Sequence, residues 1–267
     1  MNSVIEQIRL RRSVRAFTGE PLQARHESAL LEYIAGLSHP FGGKARIEYL
    51  PLHMGSAPVR LGTYGVISGA PAFLAMIYDN SSALGKTGAS YMFEQALLYC
   101  TDMGLGSCWL GGAFSRSNFK KLCNLSPTER LPIVSPVGYP VAKAVKPPTP
   151  ADPALMDRPR KPFGATFFSG SFGNPLTPEA AGSYATPFEM VRLAPSANNM
   201  QPWRVVADAA GFHFYKTFSF GFASVDAGIA LCHFEQTCRE LGLSGSFKAL
   251  GAYPEGRNAA YVISWVR

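Results

Sequence analysis

The sequence predicts an α+β fold in which two related halves follow one another along the chain. Helical and strand-like patterns alternate throughout its 267 residues. A helix followed by a glycine-rich segment occurs twice, and a proline-rich stretch ending at Lys161 separates the two copies. We therefore expect a first half at residues 1–165 and a shorter, diverged half at residues 166–267.

The first half is predicted to begin with helices and to continue with strands. Val4, Ile5 and Ile8 recur at helical spacing, residues 46–50 alternate like a half-buried strand, and residues 72–78 form a continuous apolar run. The predicted helices are residues 4–12, 23–37 and 91–103.

The second half follows a proline-rich arm, which we expect to be extended. Its predicted helices are residues 187–193 and 226–241. Its predicted strands are residues 204–207, 212–215 and 260–266.

The composition is that of a globular protein with a sizeable core, since 47% of the residues are hydrophobic and 16% are charged. Five cysteines without a C-x-x-C pair indicate neither a disulfide framework nor a zinc site, and we predict no bound metal. No apolar run is long enough to span a membrane, and the N-terminus lacks a secretory pattern. These features predict a cytoplasmic protein that does not bind membranes.

The net charge is +7, and arginine and lysine are spread along the chain without a long run; only residues 9–15 and 158–161 are dense in them. Such clusters suit one or two phosphates on a small ligand better than a nucleic-acid duplex. A solvated basic face is the alternative for both. We expect no nucleic-acid partner, and binding that weakens steeply with salt would be needed to argue for one.

Residues 194–203, Ala-Pro-Ser-Ala-Asn-Asn-Met-Gln-Pro-Trp, are predicted to form a binding loop. Two prolines prevent a continuing helix, the asparagines tolerate unusual dihedral angles, and Trp203 supplies an apolar wall. A planar ligand with polar edges would suit this loop. The alternative is a surface turn that Trp203 anchors to the core.

Residues 104–112 form a glycine-rich segment whose backbone can approach a ligand closely. It is not a dinucleotide-binding fingerprint, because a helix precedes it and a strand-like pattern follows. Cys108 within it has no histidine or carboxylate partner that the sequence indicates, so we predict a buried thiol and not a nucleophile.

The internal repeat places residues 100–107 on residues 238–245, 138 positions later. A shift of 156 places loop 194–203 on residues 38–47, where Gly43, Arg46 and Ile47 replace Asn199, Pro202 and Trp203. The counterpart of the first basic cluster then falls near residues 167–171, which contain no arginine. Each half thus keeps what the other has lost, which predicts one complete site; chance similarity of short matches is the alternative.

Several of these segments together resemble the FMN-dependent nitroreductase family. Residues 11–17, Arg-Arg-Ser-Val-Arg-Ala-Phe, are similar to its phosphate motif, loop 194–203 to its flavin-facing loop, and residues 104–112 to its Gly-Leu-Gly-x-Cys-Trp-x-Gly segment. Residues 138–140 and 158–162 resemble the C-terminal stretch of the family. The order departs from the family, because the flavin-facing loop comes late in the chain.

The resemblance implies mostly antiparallel central sheets flanked by helices, with the two halves packed as an intrachain pseudo-dimer that holds one FMN. A monomer or weak oligomer then follows, because one chain mimics the family dimer. The implied FMN ligands are Arg11, Arg12, Ser13 and Arg15 for the phosphate and ribityl chain, joined by Arg158 and Arg160; Leu110, Gly111 and Gly112 near flavin N5; and Pro195, Ser196 and Asn199 at the ring edge.

The resemblance also implies an oxidoreductase that takes electrons from NADH or NADPH and reduces a nitroaromatic, a quinone or a similar small molecule. No side chain needs to act as a catalytic acid or base, because the cofactor carries the chemistry. Two alternatives remain open: a non-catalytic flavin-binding or sensing protein, and another flavin reaction such as flavin fragmentation or reductive dehalogenation.

Overall fold

A computed structural model describes residues 2–54, 57–58, 61–141, 159–256 and 258–267. The chain divides into two compact units. The first unit contains Met1–Asn2 and Leu10–Pro150, and the second contains Ser3–Arg9 and Ala151–Arg267. In the described ranges, no helix is both long and apolar enough to cross a membrane.

Seven α-helices are present in the described residues: α1 Val4–Leu10, α2 Ala24–Ala35, α3 Gly85–Asp102, α4 Arg116–Leu122, α5 Pro178–Ala181, α6 Ala185–Leu193 and α7 Ala223–Glu240. The strands in the same residues are β1 Ala45–Pro51, β2 His53–Met54, β3 Ala57–Pro58, β4 Ala72–Asp79, β5 Gly106–Ser107, β6 Glu129–Gly138, β7 Phe167–Ser169, β8 Trp203–Ala207, β9 Phe212–Lys216, β10 Ser246–Lys248 and β11 Ala260–Val266. Short 3₁₀ helices occur at Phe163–Ala165, Gly182–Tyr184 and Ala197–Asn199.

The first unit is built on a four-stranded sheet in the order β1-β4-β6-β5, and every neighbouring pair is antiparallel. Seven of the eight residues of β4 are buried, and α3 is buried on most of its surface. Phe73 and Phe119 meet edge to face in the core, with ring centroids 5.2 Å apart.

The second unit is built on a five-stranded sheet in the order β10-β11-β9-β8-β7. Its pairs are antiparallel except for β7 and β8, which run parallel. The core is aromatic, with Phe234 of α7 contacting the rings of Phe188, Phe212, Phe214 and Trp265. Antiparallel sheets flanked by helices confirm the predicted α+β class.

The two units share one topology, because β1, β4, β6 and β5 correspond in order and neighbours to β8, β9, β11 and β10. Helices α3 and α7 both have 18 residues, and their first residues, Gly85 and Ala223, are 138 positions apart, as the repeat predicts. The registers correspond too, since Ala45 pairs with Tyr78 as Trp203 pairs with Lys216. These correspondences support the prediction of two related halves.

A register shift also recurs at the same place in both sheets. In the first unit it lies between Met76 and Tyr78 of β4, opposite β6, and in the second it lies between Tyr261 and Ile263 of β11, opposite β9. Pro132 of β6 and Val262 of β11 are equivalent positions in these irregular stretches. A β-bulge leaves one residue out of the ladder and is therefore a place where proline, which lacks an N–H, can be accommodated.

The predicted element boundaries need several corrections. Helix α3 begins at Gly85 and not at residue 91, and α7 begins at Ala223 and not at residue 226. Strand β6 was not predicted, because Pro132 and Pro136 interrupt its apolar pattern. Helices α4 and α5 and strands β2, β3, β7 and β10 are also additions, and β5 overlaps the predicted strand-like segment, residues 107–110, at Ser107. Most of the proline-rich arm lies outside the described residues.

The predicted alignment of the loops is wrong by two positions. Nine residues separate α2 from β1 and nine separate α6 from β8, and the strand registers then set the shift at 158. Phe41, Lys44 and Ala45, and not Gly43, Arg46 and Ile47, are therefore the counterparts of Asn199, Pro202 and Trp203.

The predicted counterpart of the basic cluster is also wrong. Ser13 bridges to Ser107 of β5, at one edge of its sheet. Phe167–Ser169 pairs with β8, which corresponds to β1 at the opposite edge. The two segments therefore occupy different places in the common topology.

Candidate functional site

In the first unit, the arginine motif lies directly beside the glycine-rich segment. Ser13 forms a parallel bridge with Ser107, and the Val14 amide donates to the Ser107 carbonyl at 2.8 Å. A Cβ on Gly106 would lie 2.8 Å from the Val14 side chain, closer than side-chain carbons normally approach. Glycine at this position therefore allows the two predicted ligand segments to meet.

Arg11 is buried, with 6% of its surface exposed, and its guanidinium lies 3.7 Å from the carboxylate of the fully buried Glu94. Glu94 also accepts a hydrogen bond from Trp109 Nε1 at 2.8 Å. Two buried polar atoms here have no hydrogen-bond partner among the described residues: Arg11 Nη1 and Ser107 Oγ. Leaving such groups unpaired is costly, so both atoms suit a bound polar ligand.

The remaining residues of the arginine motif differ in exposure. Ser13 and Arg12 are half-buried, and Arg12 donates to the Arg11 carbonyl at 3.1 Å. Arg15 is exposed. Because Glu94 balances the charge of Arg11, Arg11 contributes mainly a hydrogen-bond donor. Arg15 contributes a positive charge that an anion can approach.

The backbone at the end of the glycine-rich segment is ordered on one side and open on the other. Leu110 is buried and exchanges two backbone hydrogen bonds with Val134. The Gly111 carbonyl accepts from Arg116 at 2.7 Å. A Cβ on Gly112 would have no protein atom within 4 Å, which leaves room for a flat ligand beside it.

All five cysteines are buried and unbridged. Cys108 is 1% exposed, and its thiol donates to the Trp109 carbonyl at 3.9 Å; its amide donates to Ser135 Oγ at 3.0 Å. Burial raises the pKa of the Cys100, Cys123 and Cys238 thiols. The buried position of Cys108 confirms the prediction of a buried thiol.

In the second unit, loop 194–203 has an unusual backbone. Asn198, Asn199 and Gln201 have φ angles of 49°, 56° and 48°, in the left-handed region that non-glycine residues rarely adopt. Each such residue costs on the order of 1 kcal/mol. Hydrogen bonds offset this cost: the Gln201 amide donates to Ser196 Oγ at 2.9 Å, and Gln201 Nε2 donates to the Asn199 carbonyl at 3.0 Å.

The end of the proline-rich arm lies on this loop. Arg160 donates to Asn199 Oδ1 at 3.2 Å and to the Leu193 carbonyl at 3.0 Å, while Asn199 Nδ2 donates to the Pro159 carbonyl at 2.8 Å. The Lys161 amide donates to Gln201 Oε1 at 2.8 Å. The structure thus brings together Arg160 and Asn199, two of the predicted ligands.

Positive charge accumulates beside the loop. Lys161 Nζ donates to the Met200 carbonyl at 2.8 Å, and Arg204 donates to the Gln201 carbonyl at 3.0 Å. Burial lowers the pKa of Lys161, with the nearby Arg204 adding to the effect, and burial lowers the pKa of Arg204. Two partly desolvated cations held by carbonyl groups suit a phosphate or a reduced, negatively charged ring.

The structure describes two of the three remaining predicted ligands of the second unit. Pro195 is buried, and Ser196 is half-buried. Arg158 lies outside the described residues.

The sequence did not single out Glu94, Lys161, Gln201 or Asp226 as site residues. A signal existed for Glu94, because it is the only charged residue in residues 91–98, which are apolar apart from it and Gln95. Gln201 was part of the recognised loop motif. Asp226 offered no pattern, since an acid in the first turn of a helix is ordinary.

Each set of residues, taken by itself, has features that suit FMN. The first unit offers Arg11 Nη1 and Ser107 Oγ as buried polar atoms in need of partners, together with the open space at Gly112. The second unit offers partly desolvated cations beside a strained polar loop.

Comparison with known protein families assigns the chain to one class. A family model described as "Putative TM nitroreductase" matches residues 3–238, which is most of the chain. The chain therefore belongs to this nitroreductase family. No curated protein matches the sequence.

Among solved structures, one described as a "putative nitroreductase" from Thermotoga maritima is similar over 99% of this chain and 94% of its own, with a TM-score of 0.63 and 20% identity. A nitroreductase family protein from Clostridium difficile 630 matches over 55% of this chain and 88% of its own, with a TM-score of 0.43 and 17% identity. A nitroreductase from Bacteroides fragilis with bound FMN matches over 55% of this chain and 92% of its own, with a TM-score of 0.42 and 18% identity. The likeness to the Thermotoga structure extends over nearly the whole of both chains and shows a common fold.

Proposed function

We propose that this chain is an FMN-dependent oxidoreductase that uses NADH or NADPH to reduce a nitroaromatic, a quinone or a similar small molecule. The observation that carries the proposal is the pair of buried polar atoms, Arg11 Nη1 and Ser107 Oγ, which lack partners among the described residues and lie in the two segments that the family motifs identify. Bound FMN would supply hydride transfer at N5.

The residues of the first unit would bind the phosphate and ribityl chain. Arg15 would supply the charge-assisted hydrogen bonds and Ser13 a hydroxyl, while Arg11 would donate through Nη1 from its position against Glu94. The exposed backbone at Gly112 would lie near the reactive edge of the ring, where backbone N–H groups favour developing negative charge.

The residues of the second unit would contact the flavin ring. We propose that Pro195, Ser196 and Asn199 line its edge, and that Arg160 acts through its hydrogen bond to Asn199. We also propose one FMN per chain and a monomer or weak oligomer, because each half keeps only part of the family motif set.

The flavin content of the purified protein tests this proposal. We expect a yellow protein with a flavin absorbance spectrum and one FMN per chain after reconstitution. A protein that retains no FMN would contradict the proposal, and two FMN per chain would contradict the single site.

Anaerobic mixing with NADH or NADPH tests catalysis. Rapid bleaching of bound FMN is expected, followed by reoxidation when a nitroaromatic or a quinone is added. If neither NADH nor NADPH reduces the bound FMN, the protein would instead be a non-catalytic flavin-binding protein.

Two variants test the residue assignments. Arg15→Ala is expected to weaken FMN retention by about tenfold, because it removes a charge-assisted hydrogen bond. Asn199→Ala is expected to change flavin affinity or the rate of its reduction. Arg25→Ala is a matched control, because Arg25 is also an exposed arginine of the first unit and donates to Gln23, outside the predicted ligand segments. Wild-type FMN content and turnover in both site variants would show that the assignments are wrong.

A further inference from the structure

Asp226 is a buried carboxylate that joins two loops of the second unit. It lies in the first turn of α7 and is 1% exposed. One oxygen accepts from the Ala197 amide at 3.0 Å, and the other accepts from the Ser219 hydroxyl at 2.6 Å. Ala197 belongs to loop 194–203, and Ser219 belongs to residues 217–222, which connect β9 to α7.

Residues 217–222 expose two aromatic side chains, and we call this segment the aromatic loop. Phe218 and Phe220 are 70% and 59% exposed, and their rings meet edge to face with centroids 5.0 Å apart. Ser219 between them is 1% exposed. Exposed phenylalanines on an anchored loop are typical of a surface that contacts an apolar or aromatic partner.

The aromatic loop is attached to loop 194–203 at a second point. The amide and hydroxyl of Thr217 both donate to the Pro202 carbonyl, at 2.7 Å and 3.0 Å. With the bridge through Asp226, one attachment lies on each side of Phe218. The phenylalanines are therefore held beside the loop that we assign to the flavin ring.

The first unit shows what this arrangement looks like without the acid. Gly88 is the fourth residue of α3, as Asp226 is of α7, and His39 stands at the position of Ala197. A Cβ on Gly88 would lie 2.4 Å from the His39 ring. The same two positions touch in both units, but an imidazole fills the space in the first, whereas a carboxylate accepts the loop amide in the second.

We propose that Asp226 is a positioning residue of the flavin site. Its carboxylate holds loop 194–203 in the backbone geometry that meets the flavin, and it fixes the aromatic loop so that Phe218 and Phe220 form the aromatic side of the acceptor site. The proposal rests on the proposed function and narrows the acceptor to a planar aromatic compound. A ring stacked on or against exposed phenylalanines gains apolar contact without a charged partner.

Four variants separate the parts of this proposal. Asp226→Ala removes both hydrogen bonds and is expected to raise the FMN dissociation constant about tenfold. Asp226→Asn keeps an acceptor for Ala197 and a donor for Ser219, so FMN affinity is expected to stay within about threefold of wild type. Ser219→Ala removes one of the two attachments of the aromatic loop and keeps the hydrogen bond between Asp226 and Ala197. Glu235→Ala is the control, because it removes another buried acid of α7, which accepts a hydrogen bond from Arg239.

The steady-state constants test the aromatic loop with a nitroaromatic acceptor and with ferricyanide, a small inorganic acceptor. Ser219→Ala is expected to raise KM for the nitroaromatic severalfold and to leave kcat and the ferricyanide reaction unchanged. An equal loss with both acceptors would overturn the role of the phenylalanines. A purely structural role would lower activity through stability and would not divide KM from kcat in this way.

Amide hydrogen exchange of the flavin-free protein provides a readout that does not depend on the cofactor. The Ala197 amide is expected to exchange about tenfold faster in Asp226→Ala than in wild type or Asp226→Asn. Unchanged exchange of this amide in Asp226→Ala would overturn the proposal. If the wild type binds FMN, an unchanged FMN affinity of Asp226→Ala would overturn it as well. A wild-type protein that binds no FMN would contradict the proposed function and with it the flavin part of this inference. Faster exchange in Asp226→Ala would still show that Asp226 fixes loop 194–203.

Discussion

The burial of Asp226 predicts a pH dependence of stability that the substitution Asp226→Asn removes. Burial raises the pKa of this carboxyl to about 6, against hydrogen bonds from Ser219 and Ala197 that lower it. In the unfolded chain an aspartate titrates near 4. Between about pH 4 and pH 6 the folded protein therefore keeps a proton that the unfolded chain has released.

The sign of the effect follows from this difference. The stability that the neutral carboxyl contributes is present below about pH 4 and is lost as the pH rises through 6. A difference of about two pKa units corresponds to about 3 kcal/mol. Because asparagine does not titrate and the unfolded aspartate is already half ionised at pH 4, the free energy of unfolding of Asp226→Asn minus that of wild type is expected to rise by about 2 kcal/mol between pH 4 and pH 8.

Urea unfolding of the flavin-free proteins measures this difference. Trp203 and Trp265 are buried in the second unit, so a Trp109→Phe background in both proteins restricts the fluorescence to that unit. The comparison at pH 4 serves as an internal control, because residue 226 is neutral there in both folded proteins. A difference that changes by less than about 1 kcal/mol across the range would refute the reasoning, because it would show that the carboxyl is not desolvated when the protein is folded.

Two further variants probe the first unit. Gly112→Ala is expected to leave the free energy of unfolding within about 0.5 kcal/mol of wild type, because no protein atom lies near the new methyl group. The same variant is expected to weaken FMN binding, measured by fluorescence titration. An FMN affinity equal to that of wild type would show that the flavin does not lie beside Gly112. Arg11→Ala is expected to cost about 3–5 kcal/mol in urea unfolding, because it leaves Glu94 buried without its ion pair, and adding Glu94→Gln is expected to recover part of the loss. A cost below about 1 kcal/mol for the single variant would show that the pair is not desolvated.

The sequence predicted the long helices and the most apolar strands because their patterns depend on local spacing. It placed the starts of α3 and α7 too late, since the first turn of α3 contains Gly85 and Gly88, which are poor helix formers, and tertiary burial overrides that preference. It missed β6 because Pro132 and Pro136 normally exclude an inner strand. Strand β5 spans two residues and pairs with only the end of β6.

The parts of the site that consist of a contiguous motif were predictable from the sequence. The parts that depend on a single side chain were not. The arginine motif, the glycine-rich segment and loop 194–203 are contiguous, so their residue types point to a ligand. Asp226 and Glu94 act through contacts with residues that are distant in sequence, and one acid in a helix predicts no such contact. The structure also corrected the alignment of the two loops, because strand register fixes it and short sequence matches do not.

The β-bulge that both sheets share explains why the first sheet can contain a proline at residue 132. Pro132 and Val262 occupy equivalent places, and the register shifts in both units. Since a valine stands there without removing the irregularity, the bulge belongs to the fold and is not imposed by the proline ring. The bulge therefore makes this position tolerant of proline, which would disrupt an inner strand elsewhere. The sequence can vary here without a one-residue shift in strand register, which would turn the buried side chains toward solvent.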